Sequence, residues 1–514
     1  MRFPRKFCCL LPAIFFVAAF PVLPQAQTPQ MGGKLILGMR MDPPAMDPHR
    51  DQFSEQFKRF SFLYNGLLDY DKGGHLVPSL ATSWKYSADQ KELTLKLRPG
   101  VKFHNGKELK GGDVKYSLDR VMDKKTASPL IRDFSSIQDV QVVDDATVKI
   151  ILKEVYSPFL SKLTLYYCSI IPAGTEAKEG TPPPGTGPFQ FIEHKMNDYM
   201  KLKKFPQYWE KGLPYVDEII FKPIVEDTVR YTALRTGEIH WANTIPFPDV
   251  ERALKNPPKD VVVQEGPTQS VFYFILNSTK PPFNNFKVRQ AIALALDKKE
   301  IVAGAVWGRG EEADQAFGKA HPYHLPVKPQ DQDLNKARAL LSEAGFPKGF
   351  KVTLPALTAH SLLLEMAKIA QAQLKKVGIE VELQLLDGAA FNQQVLVKKD
   401  FSITTMGDAG ETRNDFDDAY YRAFFSTSPY NFARYSNPAV DGWLQEGRRT
   451  FDLEKRKKIY TQVMDQVNQD APVIYAIIRT IPYAWRTSLK GWEPNATSAL
   501  CYSGGGFSRA WLER

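Results

Sequence analysis

Apolar and polar residues alternate over Leu93-Thr94-Leu95-Lys96-Leu97 and again over Ile379 to Leu385, the period of a strand with one buried face. Arg98-Pro99-Gly100 breaks the first run, and Val101-Lys102-Phe103 resumes the alternation. Elsewhere the spacing is helical. Asp333 caps a helix with Ala337, Leu340, Leu341 and Ala344 on one face, and Gly345 ends it. Ser361 starts another, with Met366, Ile369, Ala370 and Leu374 inward and Gly378 as its stop before the strand at Ile379. Val288, Ile292, Ala295 and Leu296 mark a helix after Pro281-Pro282, and Asp452 starts one that turns Ile459, Val463 and Val467 inward. Helices interleaved with strands predict an α/β chain with mixed sheets.

Three interruptions are candidate crossings between domains. One is the Pro- and Gly-rich stretch Thr181 to Phe189. The other two are fully apolar strands, Val271 to Asn277 and Val473 to Ile478, next to Pro281-Pro282 and Pro472. Gly504-Gly505-Gly506 reads as a flexible turn.

The N-terminus has a different pattern. Arg2, Arg5 and Lys6 precede an apolar run from Phe7 to Leu23, and Pro24-Gln25-Ala26-Gln27 follows. This order predicts a secretory signal, residues 1–26, cleaved near Ala26. Pro12 and Pro21 interrupt the run, which argues against a membrane anchor. Cys8 and Cys9 precede the run or open it, whereas a lipid-anchor cysteine would follow it. The expected product is a soluble, unanchored protein of about 488 residues in the periplasm, enough for two or three domains.

Composition narrows the function classes. The full chain carries +10; without the three cations of the signal, 64 basic residues stand against 57 acidic ones. The bases are interspersed with acids, so no clustered stripe for nucleic acid is present. Two cysteines remain, Cys168 and Cys501, and either a disulfide or two buried thiols fits them. No His-Glu-x-x-His pair, Gly-x-Ser-x-Gly elbow or phosphate loop occurs, and the eight histidines are dispersed. No metal or other cofactor is expected, and no enzyme.

Short motifs then fall in one order. Met46-Asp47-Pro48-His49 and Tyr64-Asn65-Gly66-Leu67-Leu68 come first, followed by Pro78 to Trp84. Leu97-Arg98-Pro99-Gly100-Val101-Lys102-Phe103-His104-Asn105-Gly106 and Gly112-Asp113-Val114 come next. Gly185-Thr186-Gly187-Pro188-Phe189, Tyr208-Trp209, Val288 to Ile292, Ala337 to Leu341 with Ala344-Gly345, and Asn437-Pro438 with Asp441 complete the series. With these motifs the chain resembles the peptide/nickel solute-binding proteins (family 5, dipeptide/oligopeptide type) of ATP-binding-cassette importers.

The resemblance implies two α/β lobes that close on ligand like a hinged clamp, with an extra domain on the first lobe. The first lobe would comprise residues 27–60, 184–270 and 471–514, the extra domain 61–183, and the second lobe 271–470. Hinges are expected near Phe272 to Asn277 and near Val473 to Ile478. The implied protein is a monomeric periplasmic receptor that hands its ligand to an inner-membrane permease and ATPase. Peptide-binding members hold the ligand ammonium with a carboxylate in a Gly-Trp…Asp…Asp-Pro-Asp stretch. The matching stretch here, Met406 to Asp417, lacks the Trp and has Phe416 for the Pro, which leaves Asp408 or Glu411 as the anchor. Asp415 and Asp417 read as caps of a turn or helix. Dipeptide receptors place an arginine just before the helix at Ser361, where this chain has His360. Arg413 and Arg40 are the candidate replacements. Tyr430, Phe432 and Tyr435 flank Asn431 in a loop expected to reach the cleft, so Asn431, Tyr435 and His360 complete the candidate ligand-binding set. Oligopeptides or similar amine-bearing solutes are the expected ligands. A nickel chelate, an opine or an oligosaccharide is the alternative on the same fold, and a secreted hydrolase or a scavenger of unfolded segments is the alternative outside it.

Overall fold

Strand Lys34–Met39 buries Leu35, Leu37 and Met39 and lies at the centre of a seven-stranded mixed sheet. It runs parallel to Glu218–Pro223 and to the short strand Trp241–Ala242. Tyr199–Lys204 and Phe189–Lys195 extend one side; Ile481–Arg486 and Val261–Gly266 extend the other. The structure is a computed structural model that describes residues 28–43, 46–50, 54–178, 180–266, 270–408, 415–495, 497 and 499–513. The expected signal segment, with Cys8 and Cys9, lies outside these residues.

The core of this first lobe continues into a four-stranded antiparallel sheet in the order Ala81–Tyr86, Glu92–Leu97, Thr147–Leu152, Ile137–Asp144. Alternation at Leu93, Leu95 and Leu97 gives that sheet its buried face, which helix Gly111–Met122 covers with Val114, Leu118 and Val121. The shared buried core packs this extra domain onto the first lobe. Cys168 and Cys501 are free thiols buried in the same core.

The second lobe has a four-stranded sheet in the order Gly310–Glu312, Val473–Arg479, Val271–Leu276, Ile403–Asp408, with every pair antiparallel. Beside it, Phe350–Leu357 and Ile379–Leu386 pair in parallel. A parallel pair needs a crossover, and helix Ser361–Lys375 supplies it. Caps fall where the sequence puts them: the Asp333 carboxylate accepts from the Lys336 N–H at 2.9 Å and that of Asp452 from the Lys455 N–H at 2.8 Å.

Three local expectations change. Val101–Phe103 is no strand; only Lys102 bridges to Glu108, because the turn closed by the Phe103 N–H and the Lys107 carbonyl leaves no room for a ladder. The glycines at 504–506 make a tight hairpin, in which a Cβ on Gly505 would fall 2.5 Å from the Tyr502 ring. The apolar strands 271–276 and 473–479 are not themselves the crossings, since both lie within the second lobe's sheet. They are apolar because both faces are buried: Phe272, Phe274 and Leu276 enter one core, Val271 and Ile275 another. The chain crosses at their ends. Gly266 pairs with Ile481 in the first sheet and Val271 with Ile478 in the second, so both crossings lie side by side. One residue, Thr480, links the two sheets on the return. Its hydroxyl donates to Glu265 at 3.0 Å, and Arg309 donates to the same carboxylate at 3.2 Å. The stretch Thr181–Phe189 leads from the extra domain into the first lobe. A Cβ on Gly187 would lie 2.5 Å from the Phe62 carbonyl oxygen, so glycine is required by close approach.

Candidate ligand site between the lobes

Two cavities open between the lobes. The first, about 300 Å³, lies beside the crossings. Arg40, the residue after strand Lys34–Met39, and Thr244 to Phe247 line it from the first lobe; His360, Glu365, Trp307 and Arg479 line it from the second. The size suits a small solute. His360 is the N-cap of helix Ser361–Lys375, its Nδ1 accepting from the Leu363 N–H at 3.5 Å, and its ring lies 5.8 Å from that of Phe272. Burial first, then the charges of Arg479 and Arg40, lower its pKa to about 4. The imidazole is therefore neutral at pH 7, with its proton on Nε2. Arg479 lies over the Phe272 ring at 5.5 Å. The two acids in the lining have cationic partners: Asp227 pairs with Arg230, and Glu365 with Lys368 at 2.7 Å. The charge of Arg40 is felt by Glu55, but that carboxylate is paired with Lys58 at 2.9 Å.

The second cavity, about 240 Å³, lies between the extra domain and the second lobe. An ionic network crosses its wall. Lys162, its side chain 2% exposed, pairs with Asp418 and reaches Asp133 at 3.4 Å. The Tyr156 hydroxyl donates to Asp417 at 2.8 Å, and Arg448 pairs with the same carboxylate at 2.9 Å while its guanidinium covers the Tyr421 ring at 3.9 Å. The Ser157 N–H donates to the Arg448 carbonyl at 2.8 Å. Segment 154–162 of the first body is thus fastened to the second, and the clamp is closed.

This network should respond to pH. Burial, aided by Asp133 and Asp417 and opposed by Lys162, pushes the Asp418 carboxyl up to about 7; Asp417 is also raised, burial again being the main cause. In an open clamp both carboxyls return to water and to the ordinary range. The closed form therefore holds a proton more tightly. Its contribution to closure is complete below about pH 4 and is lost as pH rises through about 7. The closed fraction, read by small-angle scattering, should rise when the buffer is taken from pH 8 to pH 6. Asp418→Asn should flatten that rise, and an unchanged slope in the variant would show that other groups set it.

The sequence-derived residues separate into three groups. Arg40 and His360 meet at the hinge-side cavity. Asn431 and Tyr435 are buried and engaged in structure: the Asn431 amide donates to the Tyr435 carbonyl at 2.7 Å, and the Tyr435 hydroxyl to Asp470 at 2.6 Å. Glu411 and Arg413 lie outside the described residues. Asp408 ends strand Ile403–Asp408 opposite Val271, beside the crossing, and its side chain is outside the described set. Asp415 is buried against Arg456. Sequence reasoning missed Arg479, Lys162 and Arg448. Arg479 had one signal, a charge ending a strand that is otherwise apolar.

The sequence profile of bacterial extracellular solute-binding proteins, family 5 (middle region), matches residues 75–432. The chain belongs to this family. It is 33% identical over 460 residues to the glutathione-binding protein of Pectobacterium atrosepticum, covering 87% of this chain and 89% of that protein. Among solved structures it is similar to an ATP-binding-cassette substrate-binding protein of Listeria monocytogenes, with a TM-score of 0.84, 27% identity and coverage of 94% and 100% of the two chains. It is also similar to a periplasmic binding protein of Helicobacter pylori in complex with the peptide STSA, with a TM-score of 0.80, 26% identity and coverage of 94% and 99%. Family 5 proteins are receptors without catalytic turnover, and this chain is a solute-binding receptor of an ATP-binding-cassette importer. The two lobes, the paired crossings and the extra four-stranded sheet are the family's clamp. Binding proteins of this kind deliver ligand to a permease and ATPase. Among the described residues no helix is long and apolar enough to cross a membrane.

Proposed function

We propose that this receptor captures a short peptide with a free carboxylate, of the glutathione kind, and that it does so as a monomer free in the periplasm after loss of residues 1–26. The observation that carries the reading is the hinge-side cavity, where Arg40 faces Arg479 and His360 across the lobes while the lining acids are engaged by other cations. A carboxylate leaving water there meets charge-assisted donors. The relative named for glutathione binding and the neighbour solved with a peptide support the same ligand class. Asp408 and Glu411 remain the proposed anchors for the ligand ammonium. Ligand that touches both lobes favours the closed form by its differential affinity.

Calorimetry with glutathione, unmodified di- and tripeptides, their C-terminal amides and nickel–histidine tests the assignment. Arg40→Ala should weaken carboxylate-bearing peptides about tenfold, the loss of roughly 1.5 kcal/mol for one charged hydrogen bond, and leave the amides unchanged. Binding of nickel–histidine with no response to any peptide would replace this reading.

A further inference from the structure

The cavity between the extra domain and the second lobe contains more positive charge than its ionic network uses. Its titratable cations are Arg132, Lys162, Arg422 and Arg448, and its carboxylates are Asp133, Asp417 and Asp418. Lys162 is taken by Asp418 and Asp133, and Arg448 by Asp417. Arg132 and Arg422 remain, since the lining carboxylates are engaged by Lys162 and Arg448. They come from opposite bodies, yet both approach one ring: the guanidinium carbons of Arg132 and Arg422 lie 5.9 and 3.8 Å from the centre of Tyr430. The Tyr430 ring attracts each guanidinium, and an anion beside it would satisfy both charges as the ring alone does not. The apolar part of the lining, Leu130, Leu165 and Phe425 among it, would take the carbon skeleton of such an anion.

We infer that Arg132 and Arg422 form an anion clamp, a second subsite that binds a carboxylate between the extra domain and the second lobe and closes the receptor by bridging them. The class of ligand is a dicarboxylate, either a peptide whose second carboxylate reaches this cavity or a separate small dicarboxylate. The first case rests on the peptide reading above; the second does not. Charge-assisted fork geometry favours carboxylate over a neutral polar group. Each guanidinium adds to affinity only when the lobes are together, because Arg132 moves with the first body and Arg422 with the second.

The experiment uses the full mature chain, as wild type, as Arg132→Gln/Arg422→Gln, and as Tyr430→Leu. Arg132 is exposed and Arg422 half-buried, so the double variant should fold, and its melting temperature is checked first. Each is titrated by calorimetry with glutathione, with a neutral-side-chain tripeptide that has one carboxylate, and with succinate. The double variant should lose at least tenfold in affinity for glutathione, with the one-carboxylate tripeptide unchanged, if the second carboxylate comes from the peptide. If the anion is separate, succinate should bind the wild type saturably and the double variant at least tenfold more weakly. Tyr430→Leu, which keeps both charges, should fall between wild type and the double variant for the same ligand. Equal glutathione affinity in wild type and double variant, with no succinate binding, overturns the clamp and leaves the peptide reading standing. Failure of the wild type to bind any peptide overturns the peptide reading, and the succinate arm then decides the clamp alone.

Discussion

Lys162→Met should shift this receptor toward its open form more than any other single change. Lys162 is the buried cation of the network between the bodies, in contact with Asp418 and Asp133. Its own pKa stays well above the ordinary value, because those carboxylates outweigh the burial that disfavours its charge. Removing it leaves the buried Asp418 and the partly exposed Asp133 with their counter-charge gone. Breaking a buried pair from one side is worth about 3–5 kcal/mol. Opening rehydrates the carboxylates, so this penalty falls on the closed form. A loss of about 3 kcal/mol from closure corresponds to a Kd raised more than a hundredfold. Calorimetry reads the affinity, and small-angle scattering reads the larger radius of the open form. Lys162→Met combined with Asp418→Asn should recover part of the loss, since the stranded charge is removed as well. No change in affinity for Lys162→Met would show that the network does not control closure.

Arg456→Leu should lower the stability of the second lobe. The Arg456 guanidinium grips Asp415 with two hydrogen bonds, 2.8 and 2.5 Å, and its Nε donates to the Gly447 carbonyl at 3.1 Å. The side chains are 5% and 3% exposed. The pair joins helix Leu453–Asp470 to the segment that follows the acidic loop, and the Phe416 and Tyr460 rings stack 4.6 Å apart beside it. Loss of the cation should lower stability by about 3–5 kcal/mol and the melting temperature by roughly 10 °C. Calorimetric unfolding measures it. Arg456→Leu with Asp415→Leu should be more stable than the single variant, because no unpaired charge is left buried. A single variant that melts with the wild type would mean that Asp415 finds another partner.

The pattern of the chain carried most of the fold because local chemistry sets it. Asp333 and Asp452 cap helices since a short carboxylate reaches its own free N–H groups, and no distant residue is needed. The helix from Ser361 and the strand from Ile379 could be read because their spacing and the Gly378 stop are local, whereas the parallel partner Phe350–Leu357 was not read. The crossings lie one step outside the apolar strands that marked them. An apolar run records burial on two faces, whereas the crossing itself is Thr480, a residue with no signal of its own.

The candidate site was legible only in part, for the same reason. Arg40 and His360 could be proposed because each sits at the end of a regular element, where cleft residues are held. Asn431 and Tyr435 looked equally suitable in sequence, but the fold uses their polar atoms to satisfy one another and Asp470.

By itself, then, the sequence determined the class: an α/β clamp of family 5 that binds solute, as its ordered motifs imply. Tertiary structure decided which charges face each other. Lys162 lies 256 residues from Asp418 and Tyr156 lies 261 from Asp417, and pairing over such separations follows only when two lobes close. Burial then gives those pairs their strength, and burial is a property of the assembled fold that no local pattern records.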